Sequence, residues 1–317
     1  MELIPFEKMH LAAAGRLLMN AYEKERAIVP ALPYAGGADL FADMVSGLAG
    51  NGLGIAAIEN GVLIGFLTGM AVGELFGLSR GVYTPIYAHG AAGRDKSLVY
   101  KLMYAAISDE WVKQGLLSHV ITMYTHDRET LDALFWLNFG LRCVDAIRPV
   151  TDIISGYTAM KIQKITAEDA ELLLSLHREH WQYYKSAPMF MHVHDDCSLE
   201  ELRGWLDQKD QHLWAANENG IPVAYMQLRH GGETFISDDE KSMNICGAYV
   251  SPFIRGAGYG TAILQTIVDW LRENGYERLG VDYESFNIQG SRFWGKYFTP
   301  FTYSLTRRID ERICQSM

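Results

Sequence analysis

The alternation of hydrophobic and polar positions along this chain runs through the same series of periods twice. Short apolar runs with a period of two predict strands, and longer runs with apolar residues every three to four positions predict amphipathic helices. Each half reads strand, helix, helix, three strands, helix, strand, helix, strand. Because an antiparallel meander is followed by a strand–helix–strand crossover, the pattern predicts an α/β fold.

Specific residues support the repeat. Each half contains a predicted hairpin with an Glu-Asn-Gly turn, at Glu59–Gly61 and at Glu218–Gly220, which favours a tight connection between strands. A helical Trp, a helix-ending Gly and a Phe-Trp pair then recur with a period of roughly 158 residues, which indicates duplication of a whole domain. We therefore predict two domains, at residues 1–154 and 158–317, joined near Thr151–Ala159.

Composition narrows the function classes. The 317 residues suit two domains of about 150 residues each. With 28 basic and 38 acidic residues the formal charge is −10, which argues against nucleic-acid and anionic-membrane partners. The longest uncharged apolar stretch, Gly61–Gly73, is too short to span a bilayer. The four cysteines lie far apart, without a Cys-x-x-Cys pair. We expect a cytoplasmic protein without a secretory leader.

The most informative motif is a glycine-rich turn. The apolar strand Asn244–Val250 leads into Ser251-Pro252-Phe253-Ile254-Arg255-Gly256-Ala257-Gly258-Tyr259-Gly260-Thr261, and a helical run follows at once. Such a turn lets the backbone approach a ligand, and free N–H groups at the positive end of the helix favour a pyrophosphate. Its Arg-x-x-Gly-x-Gly spacing differs from both the dinucleotide fingerprint and the P-loop.

This motif resembles the acyl-CoA signature of the GNAT superfamily of N-acetyltransferases, and the resemblance extends from Asn244 to Lys296. It implies two tandem GNAT domains, each a mixed, mostly antiparallel sheet with flanking helices and a splayed strand–helix–strand cleft for the cofactor. It also implies acetyl-CoA as acyl donor and no metal. The cofactor-binding residues it implies are Ala248, Tyr249, Val250, Arg255, Gly256, Ala257, Gly258, Tyr259, Gly260, Thr261, Asn287 and Trp294.

The second motif of that superfamily departs from the usual pattern. It usually reads Asn-x-x-Ala-x-x-x-Tyr-x-Lys, and here Asn287 and Lys296 agree while Trp294 replaces the Tyr that protonates the departing thiolate. An indole N–H cannot titrate as an acid at neutral pH. Tyr249, Tyr297, Tyr283, Cys246 or solvent could supply that proton. For the base we select Glu284, at the end of a strand beside the implied cleft.

The first half departs further. Its corresponding turn, predicted at His89–Ser97 after the strand Tyr83–Tyr87, lacks the Arg-x-x-Gly-x-Gly spacing. Asp95 would place a negative charge where a pyrophosphate should lie. We therefore interpret the first half as a degenerate copy that completes the fold or walls the acceptor site.

The histidine-rich segment from His177 to Asp195 allows two interpretations. The pairs His177/His180 and His192/His194 have the spacing of metal ligands, although nothing in the sequence brings the pairs together. The resemblance implies instead that the first two helices and their connection border the acceptor cleft. Aromatic faces and a carboxylate in that cleft would suit a cationic amine. The implied acceptor-binding residues are His180, Tyr183, Tyr184, His192, His194 and Asp195.

These observations predict an N-acetyltransferase that moves an acetyl group from acetyl-CoA to a primary amine of a small molecule or peptide. Transfer is expected to be direct, within a ternary complex, because no nucleophile with a supporting motif is present. Two alternatives stay open. One is a non-catalytic acyl-CoA-binding or sensing protein, and the other is an acyltransferase with a longer acyl donor or a hydroxyl acceptor. A homodimer is compatible with the sequence.

Overall fold

A computed structural model describes residues 1–153, 160–193 and 198–315. The contacts between Cα atoms divide the chain into two compact units. Unit 1 comprises Met1–Val144 together with Pro300–Met317, and unit 2 is the continuous segment Asp145–Thr299. Most of the predicted join lies in residues 154–159, outside the described residues. The domain ranges 1–154 and 158–317 stay a prediction about the duplication.

Among the described residues, the first part of unit 1 has eight strands and four helices, and the last of these strands continues into unit 2. A ninth strand comes from the later part of the chain and is given below. In chain order the elements of the first part are β1 (Glu2–Pro5), α1 (Leu11–Ile28), α2 (Ala38–Ser46), β2 (Ile55–Glu59), β3 (Val62–Leu67), β4 (Met70–Val72), β5 (Gly81–Thr84), β6 (His89–Ala91), α3 (Lys96–Lys113), β7 (Ser118–Tyr124), α4 (Arg128–Trp136) and β8 (Gly140–Pro149).

Unit 2 continues with the element order that the hydrophobic pattern predicts. Its elements are β9 (Ile162–Ile165), α5 (Ala170–Lys185), α6 (Leu199–Leu206), β10 (Gln211–Glu218), β11 (Ile221–Arg229), β12 (Ser242–Val250), α7 (Tyr259–Glu273), β13 (Arg278–Glu284) and α8 (Ile288–Tyr297). The last strand, β14 (Thr299–Arg308), belongs to unit 1 from Pro300 onward. The predicted α/β class is confirmed.

The sheet of unit 2 has the strand order β8-β13-β12-β11-β10-β9. Its β9–β12 neighbours are antiparallel, and β12 pairs with β13 in parallel. One face packs on α7 and α8 through Ile263, Ile267 and Trp294. The other face packs under α5 and α6, where Leu173 and Leu202 are buried. Burial of these apolar side chains on both faces holds the layers together.

Unit 1 differs from the predicted order in the middle of its sheet. The predicted strand Tyr83–Tyr87 and the predicted turn from His89 are both wrong in detail, because the chain forms β5 before Pro85 and a separate strand β6 at His89–Ala91. Strand β6 joins one sheet, β1-β2-β3-β6, and β5 joins another, β4-β5-β7-β14. Proline has no backbone N–H to donate to a neighbouring strand, and β5 ends directly before Pro85.

Candidate active site

The candidate site lies where strand β12 separates from β13. The parallel pairing covers only Ser242–Ile245 against Arg278–Val281, although both strands continue further. Cys246 is an extra residue opposite β11, since Leu228 pairs with Ile245 and Gln227 pairs with Gly247. Such a bulge bends a strand and re-aims its side chains. The second half of β12 is therefore paired only on its β11 side, and an open seam remains toward β13.

The glycine-rich turn closes this seam at one end. After a 3-10 turn at Pro252–Ile254, Gly256 and Gly258 have φ values of 85° and 93°, a left-handed conformation that strongly favours glycine. Gly258 is the N-cap of α7 and supplies no side chain to cap it. The first-turn N–H groups of a helix lack intrahelical acceptors and carry the positive end of its dipole. The backbone thus offers an uncapped anion site.

Two glycines of the turn have different surroundings. A Cβ added at Gly256 would meet no described atom within 4 Å, so the backbone there is open to a ligand. By contrast, a Cβ at Gly260 would lie 3.3 Å from the Phe293 ring, so this glycine serves the close packing of α7 on α8. Fixed N–H donors in an open, left-handed turn are what binding of a pyrophosphate needs.

Helix α8 borders the same turn. Asn287 is its N-cap and accepts a hydrogen bond from the Gly290 N–H at 3.0 Å. The Tyr297 hydroxyl lies 2.9 Å from the Thr261 hydroxyl, in the first turn of α7. Trp294 is buried in the core beside α7, with 7% of its surface exposed. Between the predicted residues Trp294 and Tyr297, the Tyr297 hydroxyl is therefore the group that reaches the predicted cofactor turn.

Arg255 lies in the turn, but its side chain runs back along the chain. Its Nε donates to the Val250 carbonyl at 3.0 Å. Its guanidinium carbon lies 5.0 Å from the ring centre of Tyr183 and 5.6 Å from that of Tyr249, within the range of cation–π attraction. The side chain is thus held by aromatic rings on the α5 side of the strand.

A buried histidine pair lies under α5. The Nδ1 atoms of His177 and His180 lie 2.8 and 2.6 Å from the Tyr225 hydroxyl. A hydroxyl has a single proton to donate, so one of the two imidazoles carries its own proton on Nδ1. Burial lowers the pKa of His177 to about 4 and that of His180 to about 3, with further lowering of the latter by His177 and Arg255. Both rings are neutral at physiological pH.

Tyr249 is oriented toward α5. Its ring stacks on His180 with centroids 5.0 Å apart, and its hydroxyl donates to Glu179 Oε1 at 3.2 Å. Ser251 Oγ donates to the same oxygen at 3.3 Å. Burial, and then the Glu179 carboxylate, raise the pKa of Tyr249 to about 12. The proton of Tyr249 is therefore directed at Glu179 and is hard to release.

Carboxyl groups gather on the other side of the open seam. Leu279 and Val281 of β13 are buried in the α7 core, and because side chains alternate along a strand, Asp282 and Glu284 project from the opposite face. Sequence reasoning selected Glu284 and missed Asp282 and Glu233, the latter in the connection between β11 and β12. The alternation of two acids at Asp282 and Glu284 was the available signal, whereas Glu233 had none.

Glu233 has the most unusual electrostatics of these groups. Although the residue is solvent-exposed overall, the surrounding protein desolvates its carboxyl group. That desolvation, followed by the negative charges of Asp282 and Glu284, raises its pKa to about 7, while Arg229 opposes the shift. Burial also raises the pKa of Asp282. A carboxyl group with a pKa near neutrality can exchange a proton with a reacting amine.

The remaining predicted acceptor-binding residues do not form one cluster. Tyr183 donates to Asn287 Oδ1 at 2.8 Å, and the Tyr184 ring lies 4.8 Å from that of His180. The side chain of His192 is exposed to solvent. His194 and Asp195 lie outside the described residues. Within residues 1–153, 160–193 and 198–315, no group of three or more His, Cys, Asp or Glu side chains is placed to hold a metal ion. No helix in the described part is long and apolar enough to cross a membrane.

Comparison with known proteins agrees with this geometry. Residues 173–298 match the sequence model of the acetyltransferase (GNAT) family. The matched range begins within α5 and includes the glycine-rich turn and α8. No curated protein matches the chain significantly.

Solved structures extend the likeness over most of the chain. A GCN5-related N-acetyltransferase from Sphaerobacter thermophilus aligns with a TM-score of 0.59 and 12% identity, over 97% of this chain and 95% of that one. A GNAT-family acetyltransferase from Colwellia psychrerythraea aligns with a TM-score of 0.51 and 12% identity, over 98% and 100%. The glucosamine N-acetyltransferase region of a fungal multi-domain GH3 β-N-acetylglucosaminidase aligns with a TM-score of 0.52 and 14% identity, over 96% of this chain and 38% of that one. The fold is therefore that of GNAT proteins.

Proposed function

We propose that this protein is an acyl-CoA-dependent N-acetyltransferase whose reaction takes place in unit 2. The observation that carries the proposal is the uncapped N-terminus of α7 behind Gly256 and Gly258, at the end of a strand that has separated from its neighbour. The family match over residues 173–298 supports the same reaction class. We take acetyl-CoA as the donor and a primary amine of a small molecule or peptide as the acceptor.

The donor would bind along the open seam. The backbone of Ala248, Tyr249 and Val250 would face the pantetheine arm. The N–H groups of Gly256 and of Gly258 to Thr261 would hold the pyrophosphate, whereas the Ala257 N–H donates to the Ile254 carbonyl at 3.2 Å. Backbone N–H groups on the β13 side of β12 would polarise the thioester carbonyl, since the ladder with β13 ends at Ile245. Fixed donors of this kind stabilise developing negative charge without reorganisation.

The acceptor would enter from the α5 side, next to the carboxyl groups. Its nitrogen forms a bond to the acetyl carbon as the carbon–sulfur bond breaks, and the sulfur leaves with the electron pair. The nitrogen's surplus proton passes to a carboxylate. We assign that role to Glu233, which lies within electrostatic reach of Asp282 and Glu284 in the connection that leads into β12, and whose pKa desolvation raises to about 7, near neutrality. Glu284 and Asp282 then act on Glu233 by keeping that pKa raised.

The thiolate receives a proton from Tyr297 or from solvent. Tyr297 is the better placed of the predicted tyrosines, because its hydroxyl reaches Thr261 in the cofactor turn. Tyr249 is engaged with Glu179 and has a raised pKa. A thiolate with a pKa of about 8.5 is itself a reasonable leaving group, so we expect Tyr297→Phe to lower the rate by less than about tenfold.

A pH profile separates the two carboxylates. Because the base must be ionised, kcat/KM of the wild type should rise with pH through about 7. Glu233→Gln should lower kcat/KM by about 10²-fold or more and remove that rise. Glu284→Gln removes a negative neighbour, so the pKa of Glu233 should fall and the rise should move to lower pH. If Glu284→Gln alone removes the rise, Glu284 is the base.

The test of the reaction class is direct. Acetyl-CoA and free CoA are titrated into the protein by calorimetry, and release of CoA is then followed over a panel of amines. Binding together with amine-dependent release supports the transferase. Binding without release for any amine supports the alternative of a non-catalytic acyl-CoA-binding protein, which the substitution of Trp294 for Tyr favours. Turnover of longer acyl donors or hydroxyl acceptors would redefine the substrates. We place the protein in the cytoplasm as part of this proposal.

A further inference from the structure

Arg255 lies at the start of the glycine-rich turn, and its side chain contacts β12 and α5. The Nε–H donates to the Val250 carbonyl at 3.0 Å, at the end of β12. The guanidinium carbon then lies 5.0 Å from the ring centre of Tyr183 on α5 and 5.6 Å from that of Tyr249 on β12. The two rings are themselves 6.0 Å apart. A planar cation so placed attracts both rings electrostatically.

The two tyrosines are fixed at their other ends. The Tyr183 hydroxyl donates to Asn287 Oδ1 at 2.8 Å, at the N-cap of α8. The Tyr249 hydroxyl donates to Glu179 Oε1 at 3.2 Å. Glu179 and Tyr183 are four residues apart on α5, so they lie on one face of the helix. We call Arg255, Tyr183, Tyr249, Glu179 and Asn287 the arginine clamp.

The charges around the arginine clamp favour the cationic side chain of Arg255 at this position. Glu179 provides a nearby negative charge through its bonds to Tyr249 and Ser251. His180, which stacks on Tyr249, is neutral because burial lowers its pKa to about 3. A phosphate contact that drew the guanidinium out of this position would break its bond to the Val250 carbonyl and its contacts with both rings.

We propose that Arg255 is a positioning residue that fixes α5, the acceptor-side helix, onto the cofactor turn, and that its side chain does not bind the phosphates of the donor. The kinetic part of this inference rests on the proposed function. Loss of the clamp leaves the N–H groups of the turn intact, so donor affinity is retained. It loosens α5, so acceptor affinity falls.

The donor experiment compares two thioesters with and without phosphates. For Arg255→Gln, the Kd of acetyl-CoA should change less than about threefold, and the KM values of acetyl-CoA and S-acetylpantetheine should change alike. The acceptor KM should rise about tenfold or more with a smaller change in kcat. If Arg255 instead binds phosphate, the Kd of acetyl-CoA rises tenfold or more while S-acetylpantetheine is unaffected, and the proposal is overturned.

Hydrogen exchange tests the clamp without any activity. In the donor-free protein, Arg255→Gln should speed amide exchange in Ala170–Lys185 about tenfold, while exchange in the middle of α7 stays at the wild-type rate. Arg272→Gln is the matched control, because the ion pairs of Arg272 with Asp152 and Asp269 are exposed. Unchanged exchange in α5 overturns the clamp. Faster exchange in a protein that acetylates no amine keeps the clamp and removes the proposed function.

Two tyrosine variants give the pairwise evidence. Tyr183→Phe keeps the ring and loses the bond to Asn287, whereas Tyr183→Leu loses both. With Arg255 present, Tyr183→Leu should speed exchange more than Tyr183→Phe, and the difference should shrink when Arg255 is already Gln. Equal effects in both backgrounds would overturn the contact. Arg255→Lys serves if Arg255→Gln fails to fold, and partial retention of protection is expected, since ammonium lacks the planar fork.

Discussion

The turns that open α3 and α7 occupy equivalent places in the two halves and treat the helix dipole in opposite ways. At α7 the N-cap is Gly258, which offers no side chain. At α3 the N-cap is Asp95, whose carboxylate accepts from the Leu98 N–H at 2.9 Å. A side-chain carboxylate at an N-cap satisfies the same donors that a phosphate would use. The N-cap side chain therefore determines whether these N–H donors are available to a ligand.

The second difference lies beside these turns. Asp127 caps α4 as Asn287 caps α8, but Asp127 pairs with Lys96, the first residue of α3. Burial raises the pKa of Asp127, and the Lys96 ammonium together with Thr130 outweighs it, so the net pKa is lowered. In unit 1 the space at the helix end is thus used by an internal ion pair. We propose that the chain's own charges close this helix end to an external anion.

The strands leading to the two turns differ as well. β12 stays continuous through a bulge at Cys246 and pairs with β11 and, over its first part, with β13. Its counterpart in unit 1 is broken into β5, which pairs with β7, and β6, which pairs with β3. The comparison supports our proposal that residues 1–154 are a degenerate copy without a working acyl-CoA site.

The largest expected effect tests whether the turn of unit 2 binds the donor and the turn of unit 1 does not. An aspartate is placed in each turn. Gly258→Asp should weaken acetyl-CoA binding about 100-fold or more, because a carboxylate would replace the phosphate and a side chain would be strained at φ 93°. Gly93→Asp makes the same change in unit 1, where φ is 113°, and should leave Kd and a stoichiometry of one donor per chain unchanged. Calorimetry measures both, with thermal melts as folding controls. Two sites in the wild type would contradict the difference between the halves.

A second prediction concerns the ion pair of unit 1. Lys96→Met should lower the free energy of unfolding by about 1–3 kcal/mol at pH 7, because Asp127 loses its partner while mostly buried. Asp127 has a lowered pKa in the folded protein, so its stabilising contribution is present above its unfolded pKa and is lost as pH falls through the folded value. The gap between wild type and variant, measured by urea unfolding, should therefore narrow in acid.

Lys113→Met is the control for that measurement. Lys113 makes exposed ion pairs with Asp109 and Glu110 at the end of the same helix. Exposed pairs contribute little because water screens them, so we expect a change below about 0.5 kcal/mol. Equal losses in the two variants would show that the Lys96–Asp127 pair has no special role.

The smallest expected effect comes from the cap itself. Asp95→Ala should lower the free energy of unfolding by about 1 kcal/mol, the usual loss when an N-cap side chain is removed. Asp95→Asn keeps an accepting oxygen and should cost less. Denaturant unfolding checks both. If neither variant changes stability, the cap does not occupy the donors of α3 as we infer.

Local pattern predicted much of unit 2. The order of its elements, the hairpin at Glu218–Gly220 and a helix after the glycine-rich turn all depend on periodicity or on glycine's freedom at positive φ, and the structure confirms them. Helix α7 begins at Tyr259, three residues before the predicted helical run. Asn287 at the start of α8 is an N-cap, as its side chain favours. These signals lie within a few residues of the feature that they determine, so the sequence alone carries them.

Features that depend on distant residues could not be predicted in this way. The break between β5 and β6 gives each piece a different partner strand, which no local period records. The raised pKa of Glu233 depends on desolvation by the surrounding protein and then on Asp282 and Glu284, some fifty residues further along the chain. Arg255 fitted a phosphate-binding motif, whereas its contacts with Tyr183 depend on how α5 packs. One of the two strands that pair with β7 in unit 1 is β14, from a distant part of the sequence.

The place of β14 sets the order in which the two units can be finished during synthesis. A chain emerges from the ribosome beginning at its N-terminus, and all of unit 2 precedes Pro300, whereas unit 1 needs Thr302–Arg308 to pair with β7. Unit 1 therefore starts first and is completed last. Until then one edge of β7 is open, and an open strand edge invites pairing with other chains. The nascent protein thus carries an exposed edge for as long as it takes to translate the whole of unit 2.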